Sequence, residues 1–457
     1  MSGILWVGEA VLLGWLLAWR WIDLRGLEPA WARWLLLAGA GAAGGMGVAS
    51  CLFFLVDALM GSLAAAMGLE LALVAWAAFE VFRRRARWTT SAGPGKTRTP
   101  MLLTIAVLLG VGIATAAIAA AWENNPQGNW DAWAIWNLRA RFLASGPGLA
   151  VRAWSPLLGP ITHPDYPLLV SGLVGRSWAF GRSISSVVPE GASYVFFLAL
   201  LAMVAGGVAA LRGPMLGLLA VLALVASPAL VHEVPAQYAD VPLACYIAGA
   251  VVFAVLEQPA VAGILAGFAL WTKDEGALFL IVFAAALLVF RRRSFWKAAA
   301  GALPAVALVL LFREGLARGN ASSLLAASLP GASQRLIAWS RYGTIAAAFA
   351  REFANLGVGW YHPVLPLATA AVTLRLDAAR RRDAMMAWVV ALGLLAGYFG
   401  IYAITGNDLI WQLQTSLGRL VVQVWPLVLL AAFMILREPQ LAGRAALPPK
   451  KQRKAAR

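Results

Sequence analysis

From residue 4 to residue 436 this chain is a succession of long apolar stretches, set apart by short runs rich in arginine and lysine. A segment that crosses a bilayer needs roughly 20 apolar residues, or about 17 to 25 with tilt. On that criterion, helices are expected at 4–22, 33–56, 62–82, 101–122, 187–211, 214–232, 240–257, 259–272, 276–291, 297–313, 357–374, 384–404 and 419–436. Hydrophobic residues make up 61% of the 457 and charged residues 13%. A soluble chain this apolar could not cover its surface. The expected fold class is therefore an all-α polytopic membrane protein with about 13 transmembrane helices.

The sides of the membrane follow from the basic residues. A net charge of +16 would ordinarily raise nucleic acid as a partner. Here, however, the basic side chains sit in short loops and do not alternate with aromatics along one face, so nucleic acid is excluded. Basic loops mark the cytoplasmic side. The segment 163–182 is apolar but holds Pro164, Pro167 and Arg176. If it stays outside as a juxtamembrane helix, 25 of the 37 basic residues fall on one side in short loops. If it crosses, the basic runs near 291–297, 375–382 and 450–457 land opposite the run at 83–87. The first arrangement is the expected one.

The chain then divides into three N-terminal helices (1–87), a cytoplasmic linker (88–100), a large membrane domain (101–436) and a basic cytoplasmic tail (437–457). Cys51 and Cys245 lie inside apolar runs with no metal-site spacing and read as small buried hydrophobes. No basic n-region precedes Ile4, and the first apolar run ends at Arg20, so no cleaved signal peptide is expected.

The longest non-spanning segment of the first half is the outer loop 123–186. Its stretch Trp122–Pro167 carries acids, arginines, a histidine and five tryptophans. On this topology His163, His232 and His362 share the outer side with Glu123, Asp131, Asp165, Glu233, Asp240, Asp274 and Glu275. Ionisable groups are expensive near lipid and are usually kept there for a task.

Asp131 opens a helix-like stretch bearing Trp130, Trp133 and Trp136. It is either a helix cap with an interfacial tryptophan belt, or a general base beside rings that support a sugar or lipid. Asp240 stands where the chain re-enters the membrane and could equally cap the next helix. Lys273 ends a short span in Thr272-Lys273-Asp274-Glu275-Gly276, as a snorkelling lysine or as a phosphate ligand. Arg419 precedes an apolar run, and its guanidinium fork matches phosphate oxygens. Glu9, Glu70 and Glu80 read as packing or hydrogen-bonding positions inside the membrane.

In their order and sidedness these residues resemble the GT-C superfamily of integral-membrane glycosyltransferases, nearest to the protein O-mannosyltransferase and lipid A aminoarabinose transferase branch. Asp131 takes the place of the family's essential acid in the first outer loop, and Phe142-Leu143-Ala144-Ser145-Gly146 that of the turn ending the helix after it. His163-Pro164 takes that of a basic-Pro pair. Asp240 matches the acid that opens a later helix, Thr272–Gly276 the Thr-Lys-Gly-like element, and Arg419 the arginine before the last helix. The likeness covers about 101–436. It departs in three extra N-terminal helices, in Ala132 where a second acid is common, and in His163 where a lysine is frequent. No large outer C-terminal domain follows, so a folded protein acceptor is not expected.

The resemblance implies an inverting transfer of a sugar from a polyprenyl-phosphate donor to a hydroxyl of a lipid or glycan acceptor, at the extracytoplasmic face of the plasma (inner) membrane. Asp131 would be the general base. Lys273 and Arg419, with His163, would meet the charge developing on the leaving phosphate. Asp240, Asp165 and Glu275 would position the acceptor or a divalent cation; a zinc site of His163, His232 and His362 is the lesser metal reading. A rival class is a transporter or lipid flippase with these charges along its pathway, though no internal inverted repeat favours it. A non-catalytic scaffold is the third.

Overall fold

The computed structural model describes residues 2–58, 60–83, 100–159, 162–318, 328–357 and 381–437. The expected span 357–374, His362, most of the linker 88–100 and nearly all of the tail 437–457 lie outside the described residues. Among those described there is no β-strand. The helices are α1 Ser2–Trp21, α2 Ala30–Phe53, α3 Leu63–Arg83, α4 Met101–Asn124, α5 Asn137–Ala144, α6 Pro147–Ala150, α7 Leu169–Gly181, α8 Val187–Arg212 and α9 Pro214–Val225. They continue as α10 Pro228–Glu233, α11 Asp240–Val255, α12 Pro259–Thr272, α13 Glu275–Phe290, α14 Arg292–Leu310, α15 Ala332–Leu336, α16 Trp339–Ala354, α17 Arg381–Ile404 and α18 Leu409–Met434.

Eight described helical segments are long and apolar enough to cross a membrane, and four shorter apolar ones are α9, α11, α12 and α13. The protein is an all-helical, polytopic membrane protein. Its outward surface has the apolar character that lipid requires: on α4, Leu102, Leu108 and Ile113 are fully displayed, which water would penalise. At the centre stands α11, with all 16 of its residues buried. A helix apolar on every side belongs inside a bundle. Around it pack α8, α12 and α18.

Close helix contact depends on small residues. Where α1 crosses α2, a Cβ on Gly45 would lie 2.0 Å from the Ala10 carbonyl oxygen and one on Gly14 1.8 Å from that of Gly41. Only glycine permits this approach, the usual device for packing helices without a hydrophobic driving force.

Three boundaries differ from the sequence expectation. The segment 214–232 is two helices, since the α9 chain stops at Ala226 and restarts at Pro228, with Ser227 extended before the proline. Proline disfavours the helical conformation in the residue before it. The last helix begins at Leu409, so Arg419 lies in its interior. The expected span opens only at Arg419, but Asp408 caps the helix earlier by accepting from the Trp411 backbone N–H at 2.8 Å. Gln412 and Ser416 within it bond to Thr405 and Tyr402.

The third difference is α7. Within the protein every residue from Leu169 to Phe180 is buried, against α1, α2 and α5. Burial explains why Arg176 has two acids waiting. Its Nε donates to Glu70 at 2.6 Å, its Nη2 pairs with Glu9, and its Nη1 donates to the Trp6 carbonyl at 2.8 Å. Two of the glutamates expected as packing positions are thus the counter-ions that hold α7 in place. Glu80, the third, pairs with Arg20 and Arg83.

Candidate functional site

Four stretches distant in sequence meet at one end of the bundle: the loop opening at Asp131, the 234–240 turn, the 272–275 break and the middle of α18. The loop is fastened first. Gly128 adopts φ +71° and a Cβ there would press the Ala236 carbonyl at 2.7 Å, so glycine lets the two loops touch. The Asn129 backbone N–H donates to that same carbonyl at 3.2 Å. Gln237 then ties both sides, accepting from Asn137 at 3.1 Å and donating to the Pro126 carbonyl at 3.0 Å.

Asp131 stands at the start of a π-helical turn, Ala132–Trp136, but its side chain makes no capping hydrogen bond. The capping explanation for this residue is therefore set aside. The carboxylate pairs instead with the Arg419 guanidinium through Oδ2 and Nη1. Arg419 also lies 4.0 Å from Asp240 Oδ2 and 4.9 Å from the centre of the Tyr238 ring. Placement in the interior of α18, rather than before it, is what brings the arginine to this depth.

Asp240 is fully buried at the first turn of α11. Its Oδ1 accepts from Lys273 Nζ at 3.0 Å and from Gln423 Nε2, while its Oδ2 has no hydrogen-bond partner. Tyr398 donates to Gln423 at 2.7 Å, so a Tyr398–Gln423–Asp240–Lys273 chain runs from α17 and α18 to the α12–α13 break. Lys273 makes a second pair with Glu275 at 3.0 Å. Burial acts to lower its pKa, but Asp240 and Glu275 outweigh burial and raise it. Beside it, Asp274 pairs with Arg313.

The other expected site residues are close by but differently employed. His163, at φ +45°, stacks on Tyr166 with 4.3 Å between ring centres, and its Nδ1 is buried without a partner. Burial holds its pKa below the usual range against the pull of Asp165 and Asp131. It is thus a neutral imidazole, able to offer a hydrogen bond but not a charge. Asp165 is buried in the same loop, within electrostatic reach of Arg139 and His163. Glu123 and His232 are exposed. Trp130 and Trp133 are exposed edge-to-face neighbours with centres 4.4 Å apart, whereas Trp136 is buried.

Among the described residues no three His, Cys, Asp or Glu side chains are grouped so as to hold a metal ion. Asp131 and Asp240 are engaged by Arg419 and Lys273 instead. His362, the third histidine of the zinc reading, lies outside the described residues.

Five contributors were not singled out from the sequence. Gln423 and Tyr398 are polar groups inside apolar runs, a pattern that signals function in membranes. Buried Arg139 donates to the Tyr166 carbonyl at 2.5 Å and lies over the Trp136 ring, bracing the His163 turn. Glu233 was noted only as one of the clustered acids. Burial, and after it neighbouring Asp240, pushes its pKa up to about 8. Tyr238, besides meeting Arg419, lines a narrow apolar cleft with Leu173, Phe196 and Pro242. No family model, curated protein or solved structure matches this chain.

Proposed function

We propose that the protein is an inverting glycosyltransferase of GT-C type that takes a sugar from a polyprenyl-phosphate donor. The observation that carries this reading is the meeting of two cations, Lys273 and Arg419, with two acids, Asp131 and Asp240, at one end of an apolar bundle. A lipid-linked phosphate needs cations within reach of the bilayer, and the acceptor hydroxyl needs a base beside them. Asp131 removes the acceptor proton as the oxygen attacks the anomeric carbon. Arg419 and Lys273 meet the charge gathering on the departing phosphate. Asp240, held by Gln423, fixes the lysine. His163 is an uncharged hydrogen-bonding group near the phosphate, and Trp130 and Trp133 offer exposed ring faces to an acceptor. The acceptor is a lipid or glycan hydroxyl.

The decisive experiment supplies a radiolabelled polyprenyl-phosphate sugar to the purified protein with a lipid-linked glycan acceptor. Release of free polyprenyl phosphate together with labelled acceptor is expected. Movement of intact donor across a vesicle membrane, with no release, would instead identify a flippase.

Lys273→Ala alone strands two buried carboxylates, so its effect on donor binding is read in the pair Lys273→Ala/Asp240→Asn. That double variant is expected to fold and to bind donor about tenfold more weakly, the scale of one charge-assisted hydrogen bond. Unchanged affinity would remove Lys273 from the phosphate site.

The site belongs on the extracytoplasmic side of the inner membrane, in an arrangement of about 13 spans whose basic loops are cytoplasmic. Ser183 directly follows the segment 163–182 and is exposed. With Cys51 and Cys245 replaced, Ser183→Cys in intact cells is expected to react with an impermeant thiol reagent. Reaction only after permeabilisation would invert the topology.

A further inference from the structure

The candidate base and the candidate phosphate ligand are, in this structure, each other's partner. Arg419 pairs with Asp131 Oδ2, and Lys273 is held between Asp240 and Glu275. Three carboxylates thus face two cations, and neither cation is uncommitted. The Asp131 oxygen that accepts from the guanidinium is occupied by that contact and is not open to an acceptor hydroxyl. As arranged, the centre suits neither phosphate capture nor proton removal.

We infer that Asp131 and the donor phosphate compete for Arg419, so that donor binding releases the base. This rests on the glycosyltransferase reading above. The geometry selects Arg419 as the group that turns. The Lys273 side chain is 6% exposed and pinned by two carboxylates, while that of Arg419 is 20% exposed and has one close acid. Its second acid, Asp240, lies 4.0 Å away, and Asp240 Oδ2 has no hydrogen-bond partner, so that contact restrains the arginine little. The Tyr238 ring beneath the guanidinium is a surface on which a planar cation can pivot while remaining stacked. A phosphodiester offers two oxygens to the fork where Asp131 engages one nitrogen.

Once Arg419 has turned to the phosphate, Asp131 Oδ2 faces the acceptor. The acceptor O–H proton passes to Asp131, and a bond forms from that oxygen to the anomeric carbon. The bond from the anomeric carbon to the phosphate oxygen breaks, and its electron pair leaves on the phosphate beneath Arg419. Without donor the base stays capped by its arginine, so binding is ordered, with donor first.

The test is saturation binding of radiolabelled polyprenyl monophosphate, free of sugar, to the full-length protein in detergent. Asp131→Asn is expected to bind it about tenfold more tightly than wild type, because a neutral amide competes poorly for a guanidinium. Asp131→Ala is expected to show the same direction, which guards against a contact peculiar to asparagine. Arg419→Ala is expected to bind about tenfold more weakly, and adding Asp131→Asn to it should restore nothing. Equal or weaker binding by both Asp131 variants overturns the competition but leaves the glycosyltransferase reading standing, provided wild type binds. A gain that persists without Arg419 also overturns it. No saturable binding by wild type overturns both.

Discussion

Asp131→Asn is expected to lower turnover by about a hundredfold or more, the usual scale for losing general base catalysis, in a protein that folds and binds donor at least as well as wild type. The substitution is a sharp one here. Asparagine keeps the shape of the side chain and an oxygen that can still accept from Arg419, so the loops around it should not shift. A cap-only aspartate would tolerate the change, since asparagine caps helices about equally well. The side chain makes no cap hydrogen bond in any case. Turnover and donor affinity must be measured in the same preparation, because the two are expected to move in opposite directions. Near-normal turnover would exclude Asp131 and turn attention to Asp165, the acid buried in the same loop. Exposed Glu123, in contrast, makes a poor substitute. Asp240→Asn is a different experiment. Because Asp240 anchors Lys273, its loss should appear in donor affinity and stability rather than in acceptor KM.

The parts of this molecule that were legible in the sequence are those that lipid dictates. A long apolar run must be helical where no water can satisfy the backbone, so α4, α8 and α12 stand at 101–124, 187–212 and 259–272, within a few residues of expectation. The break at Lys273-Asp274 was legible for the same reason, being polar where the chain is otherwise apolar. Local chemistry that hydropathy does not register was harder to read. The last span is expected to begin at Arg419, yet the helix begins at Leu409, with Gln412 and Ser416 bonded to Thr405 and Tyr402. That one boundary decided whether Arg419 sits at a helix start or within reach of Asp131. The charged residues of the site could be collected by sidedness, but who pairs with whom could not. The Asp131–Arg419 contact joins residues far apart in the chain, and no spacing rule encodes it. Arg176 shows the same gap: the sequence marked it as costly in an apolar helix, and Glu9 and Glu70 as costly in two others, without bringing them together.

Arg176→Leu is expected to cost about 3–5 kcal/mol of stability, the range for breaking a buried ion pair by removing one partner. The arginine side chain is wholly buried, as is that of Glu70, and that of Glu9 nearly so. Taking the cation away leaves two carboxylates in an apolar setting, each with an oxygen that already lacks a hydrogen-bond partner. The Trp6 carbonyl loses its donor as well. Leucine fills part of the space, so the loss is mainly electrostatic rather than a cavity effect. The triple variant Glu9→Gln/Glu70→Gln/Arg176→Leu removes both stranded charges and is expected to recover a good part of the loss, since a buried ion pair can often be replaced by neutral groups at little cost. The measurement is the denaturation midpoint of each variant in the same mild detergent. If Arg176→Leu unfolds at the wild-type midpoint, the network does not hold α7. If the triple variant is as unstable as the single one, the loss came from packing and not from unpaired charge. The functional consequence follows from position: Ser171 of α7 donates to the Trp136 carbonyl at 2.9 Å, and Trp136 closes the turn that Asp131 opens. Loosening α7 should therefore slow turnover in Arg176→Leu even at temperatures where the protein remains folded, and the triple variant should regain rate along with stability.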